Sequence, residues 1–204
     1  MHLHPYCFSY AIIDRDLNQI IDFEAKVLGQ STGRFLHNDS IAIWFSDHHD
    51  IFGLPFKTSK VAVYSPEFTV LPDKTDKPSE VFRLLGFSDS DNITYLKNKL
   101  SDSFYVYYSL PDKTINFIEN HLPNVEFYSI DFGLLNFYNN KLSFKNYIAA
   151  NLYGEELTLC YKKVSGNFYY NKFPVKAKED LLYYLRLAYE HLELDLNEFP
   201  TYLY

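Results

Sequence analysis

Apolar and polar residues alternate most cleanly near the start of the chain. Over 19–28, Ile21, Phe23, Ala25 and Val27 fall on one face, and Asp22, Glu24 and Lys26 on the other. A period of two marks a strand with one wet face. Residues 6–13 read as its partner across the polar turn Asp14-Arg15-Asp16, so a β-hairpin is expected there. A short helix follows over 39–50. KVAVY (60–64) reads as a short buried strand and EFTVLP (67–72) as another extended piece.

The polar loop DKTDKPS (73–79) leads to Pro78, well placed as the first residue of a helix running to about Leu85. After the turn SDSDN (88–92), strands are predicted near 93–97 and 103–109. Pro111 then opens a helix to about His121. A strand over 124–129 and a short helix over 131–139 complete this part. The last third has the clearest pattern. Residues 145–152, 156–163 and 167–173 read as a three-stranded meander, with turns marked by Gly154 and by Ser165-Gly166-Asn167. A helix over about 177–192 carries an apolar stripe of Leu181, Leu182, Leu185, Ala188, Tyr189 and Leu192 at helical spacing. Pro200 to Tyr204 read as the opening of a further strand whose backbone groups invite strand addition, by a partner or by a second copy. The pattern is that of a mixed α/β chain.

Composition narrows the function classes. The 204 residues are 47% hydrophobic and 22% charged, an ordinary globular balance. The net charge of −7, with no basic run, argues against nucleic acid and anionic membranes as partners. No charged start followed by an apolar run is present, and the unbroken apolar stretches are far too short to span a bilayer. Cys7 and Cys160 form no C-x-x-C and read as small buried residues in a reducing, cytoplasmic setting. The 19 Tyr and 18 Phe supply core and, through the phenol tip, surfaces suited to a protein partner or to self-association.

Gly29-Gln30-Ser31-Thr32-Gly33 matches G-x-S-x-G, which makes Ser31 a candidate hydrolase nucleophile. That elbow requires a buried strand before it and a helix after it. Here the strand has a charged face and the following residues read as loop, so a connecting loop is the plainer reading. Asp47-His48-His49-Asp50 suggests a metal cluster, but adjacent helical side chains diverge by about 100°, and a solvated helix end accounts for them. Ser88-Asp89-Ser90-Asp91-Asn92 lacks the Gly and closing Glu of a calcium loop. No Walker A or G-x-G-x-x-G sequence occurs. No catalytic residue, metal or cofactor is assigned.

The stretch Phe8 to Asp14, the segment EFTVLPD (67–73), and the run from Asn151 through EDLLYYLRLAYEHLELD (179–195) resemble an uncharacterised bacterial protein family. Its known members have an actin-like ATPase fold. The resemblance implies a two-lobed, ribonuclease H-like α/β architecture. The first lobe falls over residues 1–140 and the second over 141–204, the latter expected to be incomplete. Proteins of this fold hold nucleotide phosphates with two β-hairpin turns, each built on an Asp and glycines. The first turn would lie at His4-Pro5-Tyr6-Cys7, which has no Asp and no Gly. The second would lie at Asn151-Leu152-Tyr153-Gly154-Glu155-Glu156. There Asn151 stands for the acid, Gly154 alone remains of the glycines, and Glu155 and Glu156 bring negative charge to the phosphate position. Asp14 is the other acid expected near the turns. The resemblance therefore implies a non-catalytic binding or scaffold protein, a pseudo-ATPase, with Asn151, Gly154 and Glu155 as a vestigial phosphate turn. A nucleotide-binding protein or ATP-dependent enzyme with diverged loops is the alternative, and a serine hydrolase using Ser31 a weaker one.

Overall fold

A short strand, β1 (His2–His4), pairs on both of its sides and so becomes the middle of a sheet. The computed structural model describes residues 1–28, 36–71, 75, 77–87, 92–101, 104–141, 146–163, 168–195, 197 and 199–203. The chain divides into two compact units, Met1–Leu134 and Leu135–Tyr204.

In the first unit β1 turns into β2 (Cys7–Asp14) and β3 (Gln19–Val27), all antiparallel. Helices α1 (Asn38–Asp47) and α2 (His49–Phe52) follow. The chain then returns in β4 (Ser59–Val63), parallel to β1, and later in β8 (Val125–Ser129), parallel to β4. The strand order is β3-β2-β1-β4-β8. Between β4 and β8 lie β5 (Phe68–Leu71), α3 (Pro78–Leu84), β6 (Ile93–Lys99), β7 (Tyr105–Pro111) and α4 (Asp112–His121), with the three strands forming an antiparallel sheet of order β5-β7-β6. Helix α5 (Ile130–Lys141) begins where β8 ends and runs across the boundary between the units.

Alternation explains this core. Leu3, Phe8, Tyr10, Val61 and Val63 leave their strands on one face and meet Ile41, Trp44 and Phe45 of α1 and Ile115 and Ile118 of α4. Strand β3 departs from the sequence expectation. Its apolar set is the open one: Ile21, Phe23 and Val27 are 65%, 61% and 81% exposed. The polar set is the one that is engaged. Asp22 Oδ2 accepts the Tyr10 hydroxyl (2.9 Å), Glu24 meets His48 Nε2 (3.0 Å), and Lys26 reaches Asp47 and lies over the Trp44 ring. The polar tips of Tyr10 and His48 and the ring face of Trp44 select the face that can meet them.

The second unit is a four-stranded sheet, β11-β10-β9-β12, made of β9 (Tyr147–Tyr153), β10 (Glu156–Lys162), β11 (Phe168–Pro174) and β12 (Thr201–Leu203). The meander is antiparallel, and β12 joins β9 in parallel. Helix α6 (Lys178–His191) covers one face. Leu181, Leu185, Ala188, Tyr189 and Leu192 pack with Ile148, Leu157, Leu159 and Tyr161. Leu182, assigned to the same stripe from spacing, is 69% exposed and stands outside it. Asp180 starts the helix: its Oδ2 accepts the backbone N–H groups of Lys176 and Ala177 (2.8 and 3.0 Å), which hold its carboxyl below the usual range. The Tyr189 hydroxyl donates to the Phe199 carbonyl and meets Thr201 Oγ1 (2.9 Å), fixing the entry to β12. Cys160 is fully buried, and burial pushes its thiol up to about 12, so it stays protonated and unreactive. Among the described residues no helix is long and apolar enough to cross a membrane.

Candidate functional site

Strands β1, β4 and β8 run parallel, so their carboxyl ends lie along one edge of the sheet. Open α/β sheets bind ligands at that edge. The chain places His4, Tyr64, Ser65, Ser129 and Asp131 there, together with the β1–β2 turn.

That turn is a two-residue hairpin, with His4 paired to Cys7 and Pro5 and Tyr6 at its tip. Pro5 has no N–H. The Tyr6 N–H is 3.2 Å from His4 Nδ1, which accepts it. The His4 ring is buried against Tyr64, edge-on at 4.7 Å between centroids, and tilts toward Tyr6 at 5.4 Å. A lone pair on Nδ1 requires the proton on Nε2, so the turn fixes the tautomer of His4. The Tyr6 carbonyl accepts the N–H of Leu28 (2.9 Å), which ties the turn to the end of β3. Asp14 lies at the far end of β2, where Oδ1 accepts the N–H groups of Asp16 and Leu17 (2.9 and 3.0 Å). It closes the β2–β3 turn and takes no part at this edge, which corrects the sequence expectation.

A buried acid at this edge is Asp131, in the first turn of α5, with no solvent exposure. Its Oδ2 accepts the Ser129 hydroxyl (3.0 Å), and its own N–H donates to Ser129 Oγ (3.1 Å). Ser129 N–H donates to Asn98 Oδ1 (2.8 Å), whose Nδ2 donates to the Phe127 carbonyl (3.0 Å). A buried carboxylate must be hydrogen-bonded, and near a helix N-terminus it is also favoured by the dipole. Sequence reading passed over this group. The available signal was Ser129-Ile130-Asp131 at a strand-to-helix junction.

His2, two residues before His4 on the same face of β1, stacks at 6.0 Å from it. Burial, helped by the nearby terminal ammonium, lowers the His2 pKa to about 4. In the unfolded chain the value is about 6.5, so between these values the unfolded state binds more protons and stability rises with pH. Acidification from pH 6.5 to 4 is therefore expected to remove about 1–3 kcal/mol that a His2→Phe variant does not lose. Urea titrations at several pH values check this, and parallel curves for the two proteins would refute it.

The second predicted turn lies in the other unit and joins β9 to β10. Tyr153 pairs with Glu156 across a two-residue tip, Gly154-Glu155. Gly154 takes φ +59°, as a tight hairpin's first central position requires. Asn151 is half-buried on β9, opposite Thr158, and Glu155 is exposed while its carbonyl accepts the Val175 N–H (2.8 Å). Glu156 does not stand free as expected. It pairs with Lys172 (3.7 Å), and both side chains are largely buried. Ser31 and its two glycines lie outside the described residues. His48 and His49 are engaged separately: His48 Nδ1 sits 2.8 Å from the Trp44 carbonyl, and His49 Nδ1 3.2 Å from that of Ser46. Among the described residues no group of three or more His, Cys, Asp or Glu is placed to hold a metal ion.

A family model described as "Protein of unknown function (DUF3822)" matches residues 2–204. No curated protein matches the sequence. Among solved structures, a Bacteroides thetaiotaomicron VPI-5482 protein with an actin-like ATPase fold and unknown function is similar at TM-score 0.86 and 18% identity, over 99% of this chain and 79% of that one. PilM–PilN, a type IV pilus biogenesis complex, is similar at TM-score 0.54 and 9% identity, over 96% of this chain and 65% of that one. The cytoplasmic domain of EpsL, an inner membrane component of the Vibrio cholerae type II secretion system, aligns at TM-score 0.40 and 9% identity over 84% and 67%. The fold is that of the actin-like ATPases.

Proposed function

From the premise that the chain belongs to this family of proteins of unknown function (DUF3822), we propose that it is a non-catalytic binding or scaffold protein. In this reading it works in the cytoplasm on an actin-like ATPase fold whose phosphate-binding turns no longer serve nucleotide. Residues 1–140 and 141–204 are read as the two lobes.

The observation that carries this reading is the β1–β2 turn. A phosphate turn works by aiming backbone N–H groups at the ligand. Here Pro5 has none to give, and that of Tyr6 is taken by His4 Nδ1. The second turn supports it. Gly154 keeps the backbone conformation, but Asn151 is neutral where an acid would orient Mg²⁺, and the tip carries the exposed Glu155. A like-charge approach at about 4 Å costs on the order of 1–4 kcal/mol, against about −8 kcal/mol for micromolar binding. Function then rests on a protein partner or on self-association. The PilM–PilN complex is an example of this fold assembled with another protein.

Millimolar Mg-ATP is expected to leave the melting temperature unchanged. Ligand at 100 times its dissociation constant would add about 2.7 kcal/mol, roughly 5–10 °C for a chain of this size. A shift of that order that disappears in Gly154→Val would replace the scaffold reading with the nucleotide-binding one. Labelling of the native protein by a fluorophosphonate probe, lost in Ser31→Ala, would instead favour the hydrolase.

A further inference from the structure

The opposite edge of the same sheet holds a cavity that none of this uses. It lies beside Met1, between residues 10–13 of β2 and the start of β4. Helix α2, Phe56 and Leu122 close it from the core side. The resulting cavity has a volume of about 260 Å³, a little under the range of about 300–1,000 Å³ usual for small-molecule sites.

Its walls are mostly apolar, with Ile12, Ile51, Phe52 and Leu122 among them. Two polar features stand out. Ser59 is 8% exposed and lines the cavity, and its hydroxyl has no hydrogen-bond partner among the described residues. Buried hydroxyls are normally satisfied, so an orphan at a cavity wall marks a place where a ligand atom fits. Arg15, in the β2–β3 turn, also lines the cavity, and among the described residues it makes no ion pair. Lys60 contributes to the wall, but its ammonium is committed to Glu126 (3.7 Å) and lies over the Tyr128 ring. Among the described residues no Asp or Glu lines the cavity, in a chain of net charge −7.

We propose that this cavity binds a small apolar carboxylate, with the carboxylate on the Arg15 guanidinium, a hydrogen bond from Ser59 Oγ, and the hydrocarbon part against Ile12, Phe52 and Leu122. Guanidinium is the cation best shaped for a carboxylate, and an apolar chamber with few convergent polar groups selects an amphipathic ligand. The site lies at the other end of the sheet from the β1–β2 turn and is independent of the proposed loss of nucleotide binding.

Octanoate is the probe, with 1-octanol as its neutral counterpart, and calorimetry on the full chain is the measurement. Saturable octanoate binding is expected. Arg15→Ala should weaken it at least tenfold, Ser59→Ala about threefold or more, and 1-octanol should bind at least tenfold more weakly than octanoate. Arg15 is exposed, so its variant is expected to fold as the wild type does, and an unchanged melting temperature verifies that. Absence of saturable octanoate binding overturns the proposal. So does binding that Arg15→Ala leaves intact, or equal binding of octanoate and 1-octanol.

Discussion

Trp44→Ala is expected to destabilise the first unit by about 3–5 kcal/mol, lowering its melting temperature by roughly 10 °C or more. Trp44 is 1% exposed and lies at the centre of a ring cluster, 3.9 Å from His48 and 6.2 Å from both Phe8 and Tyr10, centroid to centroid. These neighbours are held by the sheet on one side and by α2 on the other, so they cannot collapse into the space left behind. Removing the indole forfeits its buried area and leaves a cavity, and the two losses add. It also strips the platform on which Lys26 rests. The indole Nε1 has no hydrogen-bond partner among the described residues. Trp44→Phe therefore sacrifices no hydrogen bond and should cost about 2 kcal/mol or less. Urea unfolding followed by far-ultraviolet circular dichroism separates the two variants. An alanine variant that unfolds like wild type would mean that the cluster contributes nothing to stability.

In the second unit the corresponding effect belongs to Leu159. Leu159→Ala is expected to cost about 2–5 kcal/mol. Strand β10 is the inner strand of the meander, hydrogen-bonded to β9 and β11, and Leu159 is 1% exposed under α6. Leu182→Ala, on α6 itself, should stay within about ±0.5 kcal/mol because Leu182 is largely exposed. Spacing alone puts Leu182 in the buried stripe of α6, so its variant separates periodicity from actual burial. Hydrogen exchange of the β9–β11 amides provides the readout, faster in Leu159→Ala and unchanged in Leu182→Ala.

Why spacing succeeded in most places and failed in two follows from what it measures. The meander, α6 and the Pro111-led α4 were legible because turn residues and apolar periodicity agreed there. The alternation of β3 was equally clear, and it was right about the strand. Every residue of β3 stays exposed, and alternation could not say which face makes contacts, because that depends on what sits opposite. Here that is a cluster of hydroxyl, indole and imidazole groups that recruits Asp22, Glu24 and Lys26. Leu182 lies on the border of an apolar arc, where a rotation of one residue decides burial. At the site, that residues 4–7 contain no Asp and no Gly could be read directly. The His4 contact to the Tyr6 N–H could not, since it depends on a rotamer. Asp131 escaped for a different reason: nothing in a lone Ser-x-Asp reports that the chain around it is buried. Nor could sequence show the cavity at Ser59, whose lining residues come from separate parts of the chain.

Trp44 is also the chain's one tryptophan, and it belongs wholly to the first unit. Indole emission therefore speaks for Met1–Leu134 alone and is silent about Leu135–Tyr204, however disturbed the latter becomes. Circular dichroism averages over both. If denaturant curves from the two signals coincide, the chain unfolds as a single cooperative entity, and a displacement between them shows two halves that melt separately. The native protein thus carries a built-in fluorophore for dissecting its own cooperativity, with no label required.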